Sequence, residues 1–215
     1  MQIIDNRNAA DNIKVSVILT SYNHKPYIRE ALDSILCQQT DFKFEIIVHD
    51  DASTDGTQDI IREYAEKYPD IIMAVLQSEN QFHKVQKSYS TLYEYARGEY
   101  IGLLEGDDHW LCKDRLSMQV DFLDKHPEYS ATAGVTQYYN DEGQKSNPQL
   151  PSKKYAGKDA SEYDYVSISD ANIATSTIVG RTKFFLCPEL EAAKKESAES
   201  CDSISSEIRK ILANA

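Results

Sequence analysis

The sequence predicts an α/β fold with a mostly parallel central sheet. Three observations carry this. Apolar runs of strand length alternate with amphipathic, helix-length runs four times between Val15 and Lys125, the pattern of strands joined by helical crossovers. One of the runs, Tyr100 to Leu104, is apolar throughout and stops abruptly at charge, as a strand buried on both faces does. Three of the strand ends carry polar clusters: Thr20 to Asn23, Asp50 to Asp55, and Glu105 to Asp108. In a parallel sheet these would converge on one edge, beyond the carboxyl ends of the strands, where such folds bind ligands.

Residues 1–13 are polar and are expected to be loose. Val15 to Leu19 is the first strand, and Thr20 to His24 its polar loop. Pro26 suits the first turn of a helix, whose apolar face recurs at Tyr27, Ile28, Ala31, Leu32, Ile35 and Leu36. Phe44 to His49 is the second strand. Asp50 to Thr57 is rich in turn formers and cap residues and leads into a helix with Ile60, Ile61, Tyr64 and Ala65 on one face. Pro69 ends that helix and Ile71 to Leu76 is the third strand. Val85 to Ala96 reads as a helix stopped by Gly98. After the Tyr100 strand comes the helix Arg115 to Lys125, closed by Pro127, and then a strand over Tyr129 to Tyr139 weakened by Gly134. Residues 140–159 read as a long loop or lid. Residues 172–181 are expected to return to the sheet or the site. Asp202 stands ahead of a short apolar periodicity at Ile204, Ile208 and Ile211. The sequence then stops at Ala215 without a terminating signal, which reads as a truncated C-terminus.

At 215 residues the chain is long enough for a sizeable core. A net charge of -12 argues against a nucleic-acid backbone or an anionic membrane as the main partner. An anionic substrate would need local neutralisation by a metal or a few basic side chains. Cys37, Cys112, Cys187 and Cys201 are far apart and in no zinc spacing, so free thiols in a reducing compartment are expected. No apolar run is long enough to span a bilayer, and the start lacks the basic and apolar regions of a signal peptide. The expected location is cytoplasmic, with peripheral association at the inner face of a membrane left open.

Glu105, Asp107 and Asp108 crowd three acids into four positions. Their mutual repulsion favours either a retained proton or a cation. All-oxygen donors suit Mg²⁺ or Mn²⁺, which keep several waters and bind substrate phosphates through one or two carboxylates. A solvated acidic turn is the competing reading of the cluster by itself.

Taken in order, Val15 to Asn23, Asp50 to Thr57, Ala96-Arg97-Gly98-Glu99-Tyr100-Ile101 and Glu105-Gly106-Asp107-Asp108 resemble family 2 glycosyltransferases of the GT-A fold. The resemblance is strong over residues 14–108 and weaker beyond. It implies a Rossmann-like three-layer sandwich: one domain over 14–215, with a nucleotide-binding half at 14–110 and an acceptor-side half at 111–215. It also implies transfer of a sugar from a nucleoside diphosphate to a hydroxyl of a glycan or lipid-linked acceptor, with inversion. Thr20, Tyr22 and Asn23 would line the nucleotide pocket, where a tyrosine ring can stack on a base and a hydroxyl can pair with its edge. Asp50 and Asp51 would accept hydrogen bonds from an imide or ribose hydroxyls, which favours a uridine donor, with guanosine and thymidine also able to supply such a group. Asp107 would touch ribose or metal, and Asp108 would hold the Mn²⁺ or Mg²⁺ that bridges the diphosphate. Glu105 stands where the family more often has Asp, so its role as a ligand stays open. The family's base precedes a late helix, and Asp202 is the positional match, with Glu199 next.

Ser53 and Asp55 are read as turn and cap residues. Lys84, Lys87 and Arg97 are candidate phosphate contacts, against the simpler reading as solvated side chains. Asn80-Gln81-Phe82 lacks the glycine that the family often has after Asn. Thr175-Ser176-Thr177, with Arg181, resembles the segment after the acceptor loop, which implies acceptor or phosphate contacts from it. Three further readings stand beside the transferase, one of them a Mg²⁺ phosphotransferase of the doubly wound type, which would need a nucleophilic Asp where the first strand ends in Thr20. A nucleotidyltransferase would need a glycine-rich loop after the first strand, and Thr20 to Lys25 has no glycine. A non-catalytic sugar-nucleotide-binding domain would bind donor without turnover.

Overall fold

The computed structural model describes residues 1–81, 90–140, 145–150 and 173–186. Along the chain these form β1 (Gln2–Ile4), β2 (Val15–Ser21), α1 (Ile28–Leu36), β3 (Phe44–Asp50), α2 (Thr57–Lys67), β4 (Ile72–Leu76), α3 (Ser90–Tyr93), β5 (Tyr100–Glu105), α4 (Arg115–Lys125), β6 (Ala131–Ala133), β7 (Thr136–Tyr139) and β8 (Lys145–Leu150), then a 3-10 turn at Thr175–Thr177, β9 (Ile178–Arg181) and α5 (Thr182–Phe185). One seven-stranded sheet has the order β1-β4-β3-β2-β5-β9-β6, and β7 pairs with β8 in a separate ribbon. The inner strands β4, β3, β2 and β5 run parallel, while β1 and β9 run against their neighbours. The predicted mostly parallel sheet is observed.

Both faces of the sheet are covered. On one, α1 buries Ile28, Ala31, Leu32 and Ile35, at the i, i+3, i+4, i+7 spacing of a single helix face. α2 adds Ile60, Ile61, Tyr64 and Ala65, and α4 adds Leu116, Val120 and Leu123. They pack on Val15, Val17, Leu19, Ile46 and Val48. The alternate strand residues Ile18, Ile47, Met73, Val75, Ile101 and Leu103 face the other layer, with Leu92, Tyr93 and Phe185. Strands buried on both sides therefore carry no polar alternation. The apolar stripe of α4 is narrower than its sequence indicated, since Met118 is 64% exposed.

The N-terminal segment departs from expectation. Residues 1–13 were expected to be loose, yet β1 adds an antiparallel edge strand to β4, with Gln2 opposite Leu76. The reason is an ion cluster no local pattern reveals. Glu45, fully buried, accepts hydrogen bonds from Ser16 Oγ (2.6 Å), the Arg97 backbone N–H (2.9 Å), Arg97 Nε (2.7 Å) and Arg7 Nη1 (2.8 Å). Arg7 is held in turn by Asp5 through Nε at 2.8 Å and Nη2 at 2.9 Å. Arg97 is thus neither a phosphate contact nor a solvated side chain. Next to it Gly98 lies against β2, where a Cβ would come within 2.5 Å of the Ser16 nitrogen.

Tyr129 to Tyr139 is not one strand. It splits at Gly134 and Val135 into β6, at the edge of the main sheet, and β7, in the ribbon. The stretch expected to be a loop at 140–159 contains β8. Residues 172–181 return to the sheet, as expected: β9 is inserted between β5 and β6. Arg181 stands beside Tyr100, the first residue of β5, so it lies about 16 Å from Glu105 at 3.3 Å per residue. There it donates to the backbone carbonyls of Tyr129 (3.0 Å), Leu123 (2.6 Å) and His126 (3.3 Å) and to the Tyr100 hydroxyl (3.2 Å). Its role as a site residue is overturned by this register.

Candidate active site

Across the inner strands the register aligns Ser21 with Asp50, Asp50 with Leu76, and Thr20 with both His49 and Glu105. The three predicted clusters thus meet on one edge. β2 lies at the middle of that edge because the chain winds outward through β3 and β4, then crosses back to β5 on the other side. Such a reversal leaves a crevice between the loops of the two flanking strands.

The first loop is bound to the second. The Asn23 backbone N–H donates to Ser53 Oγ at 2.7 Å, Thr54 N–H to Asn23 Oδ1 at 2.9 Å, and Lys25 N–H to Asp55 Oδ2 at 2.9 Å. Asp55 Oδ1 also accepts from the backbone N–H (2.9 Å) and hydroxyl (2.6 Å) of Thr57 at the start of α2. Burial alone would raise the Asp55 pKa, but the Thr57 hydroxyl and the Lys25 and Thr57 amides outweigh it and hold the carboxyl below its usual range. Ser53 and Asp55 have the turn and cap roles assigned to them. Asn23 itself, at φ 56, braces the loop.

The adjacent acids Asp50 and Asp51 differ in environment. Asp50 is fully buried, and its carboxylate accepts from Ser21 Oγ (2.9 Å), Ser53 N–H (2.9 Å), Gln58 Nε2 (2.8 Å) and Ser53 Oγ. Those donors satisfy it from within the protein. Asp51 is half-buried, and Asp51 Oδ1 takes the Gln81 N–H at 2.7 Å. Between the pair and Ser53, Ala52 adopts φ 64, a strained value for a non-glycine residue. Tyr22, 47% exposed, presents its ring at the same edge. Behind the pair, burial pulls the pKa of His49 down against the pull of Asp51 and Asp50.

The acidic loop is tied to β2 and closed by a turn of its own. Gly106 N–H donates to the Thr20 carbonyl at 2.8 Å, and Asp108 N–H to the Glu105 carbonyl at 3.0 Å. A Cβ on Gly106 would fall 2.9 Å from His24 Nδ1 and from Ser21 Cβ. Glycine is needed there for packing against the β2 loop. Burial first, then the charges of Asp108 and Asp107, hold the Glu105 carboxyl above its ordinary range. Asp107 projects half-exposed, 3.8 Å from the ring of His24. Asp108 is oriented from elsewhere: Ser176 Oγ donates to its Oδ2 and accepts the Glu105 N–H at 3.1 Å. The Ser176 carbonyl takes the indole N–H of buried Trp110 at 2.9 Å, and the Arg115 guanidinium stacks 4.4 Å from the centre of that ring. Burial without a facing carboxylate brings the Arg115 pKa down to about 10. Sequence reasoning missed His24 and Trp110 as parts of this framework, though both are aromatic residues within two positions of predicted site residues.

Among the described residues no three His, Cys, Asp or Glu side chains are placed to share one ion. The donor set nonetheless fits a hard divalent cation that keeps waters and diphosphate oxygens, because such an ion needs only one or two carboxylates. Lys84, Lys87, Asp202 and Glu199 lie outside the described residues. A hollow of about 280 Å³, lined in part by Ile13, Phe42, Phe44 and Ile71, lies at the opposite, amino end of the strands, away from these acids.

Over residues 16–185 the chain matches the model described as "Glycosyl transferase family 2". The chain belongs to this family. An uncharacterised Mycobacterium tuberculosis protein is 41% identical over 137 residues, which cover 64% of this chain and 39% of that one. TuaG of Bacillus subtilis, described as a teichuronic acid biosynthesis glycosyltransferase, is 40% identical over 109 residues, 51% of this chain and 41% of TuaG. TarS of Staphylococcus aureus, a poly(ribitol-phosphate) β-N-acetylglucosaminyltransferase, is 34% identical over 117 residues, 53% of this chain and 19% of TarS. The structure of TarS residues 1–349 with UDP superposes with a TM-score of 0.58 at 23% identity, covering 92% of this chain and 54% of that one. This establishes the GT-A type of fold for the family 2 chain. The chain spans about two fifths of the length of the mycobacterial and Bacillus relatives.

Proposed function

We propose that this chain carries the donor site of an inverting, metal-dependent glycosyltransferase that moves a sugar from a nucleoside diphosphate, with UDP as the carrier, to a hydroxyl of a glycan or lipid-linked acceptor in glycan biosynthesis. The observation that carries the reading is the convergence of Asp51, Tyr22 and the Asp107–Asp108 pair on one sheet edge, at the reversal of strand order. The family membership and the UDP complex of a protein with the same fold support it.

Asp51 has the chemistry to accept an imide N–H of the base, and the Tyr22 ring can stack on the base. Thr20 stands at the floor of the same crevice. Asp50 acts by holding Ser53 and Gln58 rather than by touching ligand. Asp108, with Asp107, would hold Mn²⁺ or Mg²⁺, and Glu105 supports the loop between them. When bound, the ion neutralises negative charge that gathers on the departing diphosphate. On the opposite face of the sugar a carboxylate must take the acceptor proton. Asp202 is the assigned base, with Glu199 the alternative. One displacement by the acceptor oxygen inverts the anomeric centre. Among the described residues no helix is long and apolar enough to cross a membrane. The proposed setting is cytoplasmic.

Thermal shift with a panel of nucleoside diphosphates, each with and without Mn²⁺, tests the reading. A ligand that binds only the native state raises the melting temperature according to its affinity. The expected result is a shift with UDP that Mn²⁺ enlarges. A shift with adenosine or cytidine diphosphate equal to that with UDP contradicts the assignment of Asp51, and no shift with any nucleotide contradicts the donor site. Release of UDP on incubation with donor and acceptor separates a transferase from a binding domain.

A further inference from the structure

The turn at Thr175–Thr177 comes from the far side of the chain, yet it makes three hydrogen bonds with the acidic loop, all through one residue. Ser176 is 6% exposed. Its hydroxyl accepts the Glu105 N–H at 3.1 Å and donates to Asp108 Oδ2, and its carbonyl accepts the Trp110 indole N–H at 2.9 Å. A serine hydroxyl has one proton. With the Glu105 amide occupying a lone pair, that proton is directed at Asp108.

The turn is itself rigid. Thr177 Oγ1 donates to the Ala174 carbonyl at 2.7 Å, and Gln119 Nε2 donates to the Thr177 carbonyl at 3.2 Å and to Thr132 Oγ1 at 3.1 Å. Ser176 is thus fixed from α4 and β6 as well as from β5. Among the described residues it makes the one side-chain hydrogen bond that Asp108 has. The terminal torsion of an aspartate is broad and two-fold, so nothing in Asp108 alone chooses which oxygen faces the crevice. Among the described residues Asp107 has no such restraint: it is half-exposed, with the His24 ring 3.8 Å away.

Building on the donor site proposed above, we infer that Ser176 is a positioning residue: it ties Oδ2 of Asp108 and leaves Oδ1 to face the cation and diphosphate of the donor. Partners of this kind behind a metal ligand typically contribute 10- to 100-fold in metal affinity. The residue belongs to the segment that returns from the acceptor half, so the donor's metal ligand is oriented from across the sheet.

The test uses Mn²⁺ titration of the 215-residue chain with UDP present, following the electron paramagnetic resonance signal of free Mn²⁺, on wild type and Ser176→Ala. The expected result is Mn²⁺ binding weakened by about 10- to 100-fold, with metal-free UDP affinity changed less than about twofold. The isosteric pair Ser176→Thr and Ser176→Val provides a second comparison if the alanine variant folds poorly. Thr keeps the hydroxyl and should bind Mn²⁺ at least tenfold more tightly than Val, by the same logic. Equal Mn²⁺ affinity in wild type and Ser176→Ala, or in the Thr and Val variants, overturns the inference while leaving the donor site standing. A wild-type chain that binds UDP with no dependence on Mn²⁺ overturns both.

Discussion

Replacing Glu45 by Gln should cost a large part of the stability of the N-terminal half of the sheet. The Glu45 side chain is 1% exposed, with Arg7 at 4% and Arg97 at 26% beside it. The amide keeps the shape but removes the charge that two guanidinium groups share, and it turns one acceptor into a donor facing donors. Removing one member of a buried ion pair costs about 3–5 kcal/mol because the partner stays buried and uncompensated. For a chain of this size 1 kcal/mol corresponds to about 2–4 °C, so the melting temperature should fall by roughly 6–20 °C. Circular dichroism melts and urea midpoints of wild type, Glu45→Gln, Arg7→Met and the double variant measure this. The double variant should recover more than about 1 kcal/mol over the sum of the singles, since their partners are shared. Glu45 pairs with Ser16, five residues from the Ser21–Asp50 rung. UDP affinity measured well below the melting range should therefore be unchanged. A loss under about 1 kcal/mol, or additivity of the singles, refutes the claim that this cluster holds the N-terminal strand.

Asp108→Ala should abolish the Mn²⁺ dependence of UDP binding and leave the melting temperature within a few degrees, because a half-buried strand-end acid contributes little to the core; retained Mn²⁺ enhancement contradicts its assignment. Gly106→Ala should lose about 1–3 kcal/mol in urea unfolding and weaken nucleotide binding, because the new methyl meets His24 and Ser21 at 2.9 Å. Asp202→Asn should keep UDP affinity and lose sugar transfer, and equal turnover moves the base to Glu199. Tyr64 donates to Asp33 at 2.8 Å, and burial, then that hydrogen bond and the Asp33 charge, push its pKa up to about 12. Between pH 10 and 12 the folded chain keeps a proton the unfolded chain releases. Stability present below pH 10 is therefore lost as pH rises through that window, by at most roughly 2–3 kcal/mol from this group. The difference in urea midpoint between wild type and Tyr64→Phe should shrink by that amount across the window, and a constant difference contradicts it.

Much of the sheet was legible because its strands are locally uniform. Burial on both faces leaves Val15 to Leu19 and Tyr100 to Leu104 without alternation, and the helices between them carry clear stripes. The site edge was legible for a related reason: a parallel strand must end where its polar cluster begins. Long-range pairing was not legible. Nothing near Arg97 or Arg181 indicates that one meets Glu45, 52 positions away, and that the other caps carbonyls at the far end of β5. Both read as free cations beside an anionic ligand, and in the fold both are spent on the structure. The same limit hid β1, whose three residues show no pattern until β4 is there to pair with them. Asp50 and Asp51 looked equivalent in sequence, and only the register separates the buried acid from the available one. The segment of Ser176 was marked by its resemblance, but nothing in the sequence indicates that its hydroxyl meets Asp108, 68 positions away.

The insertion of β9 between β5 and β6 has a consequence for synthesis. When β5 leaves the ribosome, one of its edges has no partner, and the strand that will cover it is about 75 residues further along the chain. At roughly 5–20 residues per second, that edge waits on the order of 4–15 seconds. An apolar strand with unpaired amides is a template for association with other chains. Slower translation of the stretch before Ile178 should therefore raise the insoluble fraction, and coexpression of a strand-binding chaperone should lower it.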